Sequence, residues 1–322
     1  MNILITSVGR RVSLIEIFKQ ELIKVHRDGK VYAVDLEVDL SAACKVADGS
    51  FSVPRVDHKD YIKDLLDICL AQNVSLVIPT IDTELKVLAL NEELFLSKGI
   101  HLAISSIEFI EKCRNKYKIH EFFQANNIDI AKEYDKSQYT LPLFIKPYDG
   151  SRSIDTYVIT KEDQITTYHM ENDKLMFLEY LNPEHYEEYT CDLYYDRKHN
   201  LKCIVPRKRL EVRDGEVSKG KTERNKIIPY LRERLGYMNG ARGCITAQFF
   251  KHKDDNRIVG IEVNPRFGGG FPLTYHSGAN YAGWLIQEYF LDLEIEDQFD
   301  TWEPNLLMLR YDKEILVHGF NN

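Results

Sequence analysis

The first hundred residues alternate short apolar runs with stretches whose apolar side chains recur at helical spacing, the mark of parallel βαβ units. Ile3-Leu4-Ile5-Thr6, Val31-Tyr32-Ala33-Val34, Leu76-Val77-Ile78-Pro79 and His101-Leu102-Ala103-Ile104 read as strands. Between them Tyr61, Ile62, Leu65, Leu66, Cys69 and Leu70 recur at helical spacing, and Leu85, Leu88, Ala89 and Phe95 do so more loosely. An open α/β sheet with ligand-facing loops at its strand ends is expected. A helix is predicted over 115–127, then strands at 143–147 and 156–159 around a turn. From residue 176 onward the runs at 176–180, 189–195, 201–210, 244–250 and 258–263 read as mainly antiparallel strands, with helices at about 223–235 and 279–290. Polar hairpin tips stand at 196–200 and 252–256. The expected organisation is an α/β domain over 1–112, a small lobe over 113–178 and a larger α+β lobe over 179–322.

Composition narrows the functional classes. At 322 residues the chain exceeds the ~250–300 residues that one core usually serves. With 42 Lys+Arg against 50 Asp+Glu the net charge is −8, so no overall basic field exists for nucleic acid. No apolar run approaches the ~18–20 residues needed to span a bilayer. The start Met1-Asn2-Ile3-Leu4-Ile5-Thr6 lacks the basic segment and cleavage site of a signal peptide, and a cytoplasmic location with neither membrane nor nucleic-acid partner is expected. Cys44, Cys69, Cys113, Cys191, Cys203 and Cys244 form no CxxC pair and are expected to be buried thiols.

Two regions carry candidate chemistry. After the first strand, Thr6-Ser7-Val8-Gly9-Arg10-Arg11 holds one glycine where a dinucleotide loop needs three, although Asp35 imitates the acid that binds a ribose. Arg10 and Arg11 can hold an anionic substrate group or form a solvated basic pair. The stronger constellation is Glu262-Val263-Asn264-Pro265-Arg266-Phe267-Gly268-Gly269-Gly270. Residues two apart on a strand share a face, so Glu262 and Asn264 can present oxygens to one point, with Gln248 on the neighbouring run as a third. One carboxylate and two amides suit Mg²⁺, with Mn²⁺ as the alternative, once nucleotide phosphates supply the remaining charge. Lys146 closes an apolar strand and precedes Asp149-Gly150-Ser151-Arg152-Ser153, whose backbone N–H groups and Ser151 and Ser153 hydroxyls can cover phosphates. Lys116 adds a second cation at a helix start. Glu179-Tyr180-Leu181 offers an apolar slot for adenine, and Glu188 a carboxylate for ribose hydroxyls.

The order of these motifs resembles the ATP-grasp superfamily, and more closely its stand-alone ligases similar to one half of the carbamoyl-phosphate synthase large subunit. The resemblance rests on Pro79-Thr80-Ile81-Asp82-Thr83-Glu84-Leu85, Asn115-Lys116-Tyr117, Phe144-Ile145-Lys146-Pro147, Glu179-Tyr180-Leu181, Glu188-Tyr189-Thr190-Cys191-Asp192, Pro206-Arg207-Lys208-Arg209-Leu210-Glu211-Val212-Arg213 and the stretch from Glu262 to Gly270. It implies α/β and α+β lobes in an ATP-grasp fold, preceded by a Rossmann-like open parallel sheet. It further implies ATP between the lobes, Lys116 and Lys146 at its phosphates, Glu179 and Leu181 at adenine, and Glu188 at the ribose. Gln248, Glu262 and Asn264 would meet the metal, and Arg266 the transferring phosphoryl group.

Such enzymes turn a carboxylate into an acylphosphate that an amine attacks. An ATP-dependent carboxylate–amine or amino-acid ligase is the expectation, acting on small molecules and possessing the homodimeric habit of small ATP-grasp ligases. Arg207 and Arg209 point to one face of their strand and Lys208 to the other, so at most two of the three serve a substrate; Arg207, Arg10 or Arg11 would hold the acid. Two departures stand out. The lid stretch has Gly150 as its single glycine, and Gly269 occupies the place of a further arginine that carbamoyl-phosphate synthase uses, which argues against bicarbonate. The rival readings are a carbamoyl-phosphate-synthase-like phosphorylation of bicarbonate or carbamate, a non-catalytic ATP sensor, and a nicotinamide dehydrogenase. His276 is expected to be a plain surface or packing residue.

Overall fold

The computed structural model describes residues 1–150, 154–213, 215–255 and 257–320. The first unit runs β1 (Asn2–Thr6), α1 (Val12–Val25), β2 (Val31–Asp35), α2 (Ala42–Val46), β3 (Gly49–Ser52), α3 (Tyr61–Ala71), β4 (Val74–Pro79), α4 (Asp82–Ala89), α5 (Glu92–Leu96) and β5 (His101–Leu102). Its strands are parallel in the order β3-β2-β1-β4-β5. Side chains alternate across a strand, so Ile3 and Ile5 enter the core under α1 while Leu4, Val34 and Val77 enter the core beneath α3. With both faces buried, the strands are apolar without alternation. The expected elements omit α1, although Leu14, Phe18 and Leu22 repeat every four residues on its buried face.

The chain continues through α6 (Ile107–Arg114), α7 (Lys116–Ala125), β6 (Asp129–Ile130), β7 (Glu133–Tyr134), β8 (Leu143–Pro147), β9 (Tyr157–Ile159), α8 (Thr167–Glu171) and β10 (Leu175–Glu179). A four-stranded sheet, β7-β10-β8-β9, forms the small lobe. The remainder comprises β11 (Tyr186–Tyr195), β12 (Leu201–Arg213), β13 (Glu216–Thr222), α9 (Ile227–Leu235), β14 (Gly243–His252), β15 (Ile258–Asn264), α10 (Phe271–His276), α11 (Tyr281–Phe290) and β16 (Leu307–Leu309). These strands build a seven-stranded sheet, β16-β13-β12-β11-β14-β15-β6, whose last neighbour is the early strand β6.

The expected small lobe over 113–178 is therefore divided. Ile119, Phe123 and Ile128 share a core with Tyr189, Ala247 and Phe249, so α7 packs on the back of the large sheet and β6 forms its edge strand. Gly260 permits this approach, since a Cβ there would stand 2.6 Å from the Phe123 ring. A further core joins the first unit to the large lobe, bringing Ile15 and Phe18 of α1 against Phe267, Phe271 and Leu285. Phe18 meets Phe267 edge-to-face at 5.6 Å. The six cysteines are free thiols, five of them buried. Among the described residues no helix is long and apolar enough to cross a membrane.

Candidate active site

The large sheet separates its side chains cleanly. Tyr189, Cys191, Leu193, Ala247 and Phe249 enter the core behind it, leaving the alternate positions on the front. There Thr190, Gln248 and Glu262 stand directly across from one another on β11, β14 and β15, and Asp192, Thr246 and Asn264 form the next row. The β14–β15 register shifts beside Gln248, pairing Val259 with Phe250 and Glu262 with Gln248. This bulge lets Val259 and Glu262, three residues apart, both serve the front face. Asn264 Nδ2 donates to Glu262 Oε1 at 2.9 Å.

Opposite this face stands the small sheet. Lys146 pairs with Met176 and Phe144 with Leu178, so all four share one side. Met176, Leu178 and Leu181 join Ala131 and Val259 in an apolar cluster between the sheets, with Tyr148, Phe250 and Ile261 packed against it. Asn115 caps α7, its Oδ1 accepting the Tyr117 and Lys118 N–H groups at 3.0 and 3.3 Å, and thereby sets Lys116 at the first helical position. Lys116 Nζ donates to Gly150 O at 2.6 Å, fastening the helix start to the stretch before residue 151. Burial lowers the Lys116 ammonium, with Glu262 opposing the drop. Lys146, only 7% exposed, has no hydrogen bond or ion pair among the described residues. Burial pushes it down to about 8, with Glu262 opposing and Lys116 adding to the fall. These couplings bring both lysines and Glu262 within electrostatic reach of one another. Ser151 and Ser153 lie outside the described residues.

Other expected residues have different work. The Glu179 carboxylate is held by Arg257 at 2.7 and 2.8 Å and accepts the Lys132 N–H at 3.2 Å, which ties β10 to the β15 side of the large sheet. Arg257 holds it below the usual carboxylate range. Tyr180 is half-buried beside Leu181. Glu188 accepts from Arg209 Nη1 at 2.6 Å; burial raises its carboxyl, Arg209 opposing and Glu262 adding to the rise. Lys208 turns to the other face and meets Glu187 at 2.6 Å.

Arg207 requires a correction. Instead of reaching toward an acid, its guanidinium is buried in a bidentate pair with Asp192, Nε to Oδ2 and Nη2 to Oδ1, both at 2.9 Å. Asp192 also accepts from Thr246 at 3.1 Å and Thr274 at 2.5 Å, and its carbonyl accepts from Tyr281 at 2.8 Å. A Cβ on Gly270 would collide with Arg207 Nη1. The pair thus props the glycine turn after Arg266 from below and is a positioning device.

Arg266 is partly buried and bridges to Asp82 Oδ2 at 2.9 Å. Asp82 is the first residue of α4, so the first unit supplies the partner of this arginine, a role not read from the sequence although Asp82 lies directly past a strand end. Arg266 Nε and Asp82 Oδ1 are buried without a partner among the described residues. Arg11 spans the same junction, donating to Thr80 O at 3.1 Å and Phe267 O at 3.2 Å. Burial and the neighbouring Arg266 lower its guanidinium to about 10. Arg10 pairs with Glu216 at 3.3 Å, and Arg310 meets the same carboxylate at 2.9 Å. Asp35 accepts the Gly9 N–H at 2.6 Å and the Leu36 N–H at 2.8 Å, so the supposed ribose acid is a loop brace and the dehydrogenase reading loses its support. His276 is exposed at the end of α10.

Residues 3–103 match the family model described as "PylC-like, N-terminal domain", and residues 171–308 match "ATP-grasp in the biosynthetic pathway with Ter operon". No curated protein matches the chain. Among solved structures, Rhizobium etli pyruvate carboxylase is similar at 14% identity and a TM-score of 0.65, over 86% of this chain but 27% of that one. The biotin carboxylase–beta-gamma-ATP complex from Campylobacter jejuni is similar at 14% identity and 0.70, over 95% and 74%. L-amino acid ligase from Bacillus licheniformis follows at 15% identity and 0.65, over 89% and 73%. The chain thus has an ATP-grasp fold, with residues 171–308 similar to an ATP-grasp family and residues 3–103 similar to a PylC-like N-terminal domain.

Proposed function

We propose that the chain is an ATP-dependent, ADP-forming ligase that joins a carboxylate to an amine through an acylphosphate. The observation that carries this reading is the buried Lys146 ammonium lacking a protein partner among the described residues, electrostatically coupled to Lys116 and Glu262. A buried charge without a partner is costly, and nucleotide phosphates offer the missing acceptors. The apolar cluster of Met176, Leu178, Leu181 and Val259 suits a purine between the sheets.

Gln248, Glu262 and Asn264 fit Mg²⁺ or Mn²⁺ as oxygen donors on neighbouring strands. Among the described residues no three His, Cys, Asp or Glu side chains cluster for a metal, so the fit depends on phosphate oxygens. A bound divalent ion would supply charge neutralisation at the transferring phosphoryl group. Arg266, steadied by Asp82 through Nη2, would offer its guanidinium to an oxygen of the reacting group. Lys116, through Gly150, holds the entrance to the stretch expected to cover the phosphates and exclude water.

Glu216 favours an organic acid over bicarbonate. A Cβ on Gly269 would lie 2.8 Å from Glu216 Cδ, so a carboxylate flanked by Arg10 and Arg310 borders the place where the carbamoyl-phosphate synthase pattern has an arginine. That grouping suits a substrate with further polar groups of its own. L-amino acid ligase and biotin carboxylase share the fold, and both names are compatible with activation of a carboxylate. The test is ADP release from Mg·ATP across organic acids and bicarbonate, each with and without amino acids or ammonia, with Glu262→Ala as the blank. Acid-dependent ADP that rises with one amine supports the ligase. Release with bicarbonate alone would favour the rival kinase step, and ATP binding without turnover would favour the sensor.

A further inference from the structure

A cavity of about 240 Å³ lies between the edge of the first sheet and the far end of the large sheet. Its polar lining is Glu92 at the start of α5, His101 on β5, Arg197 in the β11–β12 turn, Arg242 just before β14, and Tyr289 on α11. Leu96, Ile100 and Leu102 form the apolar wall. Gly243 and Gln248 are five residues apart on β14, so this cavity stands roughly 16 Å along the strand from the metal-binding row.

Several donors here are unused. Arg242 meets Glu92 through Nη2 at 2.9 and 3.1 Å, whereas its Nε is buried without a partner among the described residues. The Tyr289 hydroxyl and the His101 ring likewise have no hydrogen-bond partner among them; the two rings lie 5.4 Å apart. Arg197 adds positive charge over the Tyr289 ring at 5.4 Å. Tyr289 and His101 are half-buried on the cavity wall, so their unpaired polar atoms, with the Arg242 guanidinium edge beyond its Glu92 pair, are available to a ligand that accepts. The volume is below the roughly 300 Å³ at which drug-sized pockets begin, which restricts that ligand to a small metabolite.

We propose that this cavity binds a small carboxylate with a short aliphatic body, its oxygens accepting from Arg242 Nη1, Tyr289 and His101 and its body lying on Leu96, Ile100 and Leu102. An amino acid and a simple branched acid share that chemistry; Glu92 gives the ammonium of the former a partner. Isothermal titration of the full chain with isovalerate, leucine and inorganic phosphate distinguishes them. Saturable binding of either carboxylate is expected, weakened at least about tenfold by Arg242→Met. Because Arg242→Met removes an ion pair between units, Leu96→Glu provides an independent check: Leu96 is 53% exposed, and a new carboxylate there should repel the ligand to a similar degree. Saturation by neither acid in the millimolar range, phosphate binding as tightly as both acids, or undiminished binding in Leu96→Glu would each overturn the assignment.

Discussion

Replacing Lys146 with Met is expected to stabilise the ligand-free protein while removing its activity. The lysine is 7% exposed, lacks a hydrogen bond or ion pair among the described residues, and is pushed by burial from 10.5 to about 8. At about 1.4 kcal/mol per pH unit, keeping it charged at pH 7 costs the ligand-free fold about 3 kcal/mol. Methionine fills the same apolar face without a charge, and the variant should recover roughly 2–3 kcal/mol. Below about pH 8 both folded and unfolded lysine are protonated and the full cost is present. Between about 8 and 10.5 the folded lysine has lost its proton while the unfolded one retains it, so wild-type stability rises with pH and the variant's advantage shrinks. Urea unfolding of both proteins at pH 7 and pH 10, followed by fluorescence of the buried Trp284 and Trp302, measures the difference. The advantage should fall below about 1 kcal/mol at pH 10. A variant less stable than wild type at pH 7, or equally stabilised at both values, would refute the reasoning. ADP formation should fall by about 10²–10³ at either pH, as for loss of a donor to developing charge.

Glu262→Ala removes the single carboxylate of the proposed metal set and should lower ADP formation by at least about a hundredfold with an unchanged circular dichroism spectrum; near-full activity would displace the site. Asp192→Ala leaves the Arg207 guanidinium buried and unpaired, and a loss of about 3–5 kcal/mol is expected in denaturant unfolding. An unaltered midpoint would remove Asp192 from its supporting role. Asp82→Asn keeps the shape but not the charge beside Arg266, so kcat should fall about tenfold while ATP affinity, read by titration, stays nearly constant. Weakened ATP binding with unchanged kcat would assign Asp82 elsewhere.

Several features were legible because they depend on neighbours along the chain. The apolar runs at Ile3–Ile5 and Leu76–Ile78 mark strands buried on both faces, and the period of two puts Glu262 and Asn264 on one side of β15. The same alternation separates Lys208 from Arg207 and Arg209, and Asn115 at a helix start sets Lys116. Alternation also placed Arg207 on the front of its sheet, but face alone could not tell whether its guanidinium would meet a substrate or another side chain.

That choice belongs to strand order and domain packing. Arg207 meets Asp192 because β12 lies beside β11, and Arg266 meets Asp82 because a core built on Phe18 and Phe267 brings the first unit against the glycine turn. Glu179 is taken by Arg257, 78 residues away, across two lobes. The chain by itself determined which side chains share a face, since backbone geometry repeats locally; only the tertiary structure decided which charges are neutralised internally and which, like Lys146, are buried without a protein partner, since that outcome depends on contacts between distant segments.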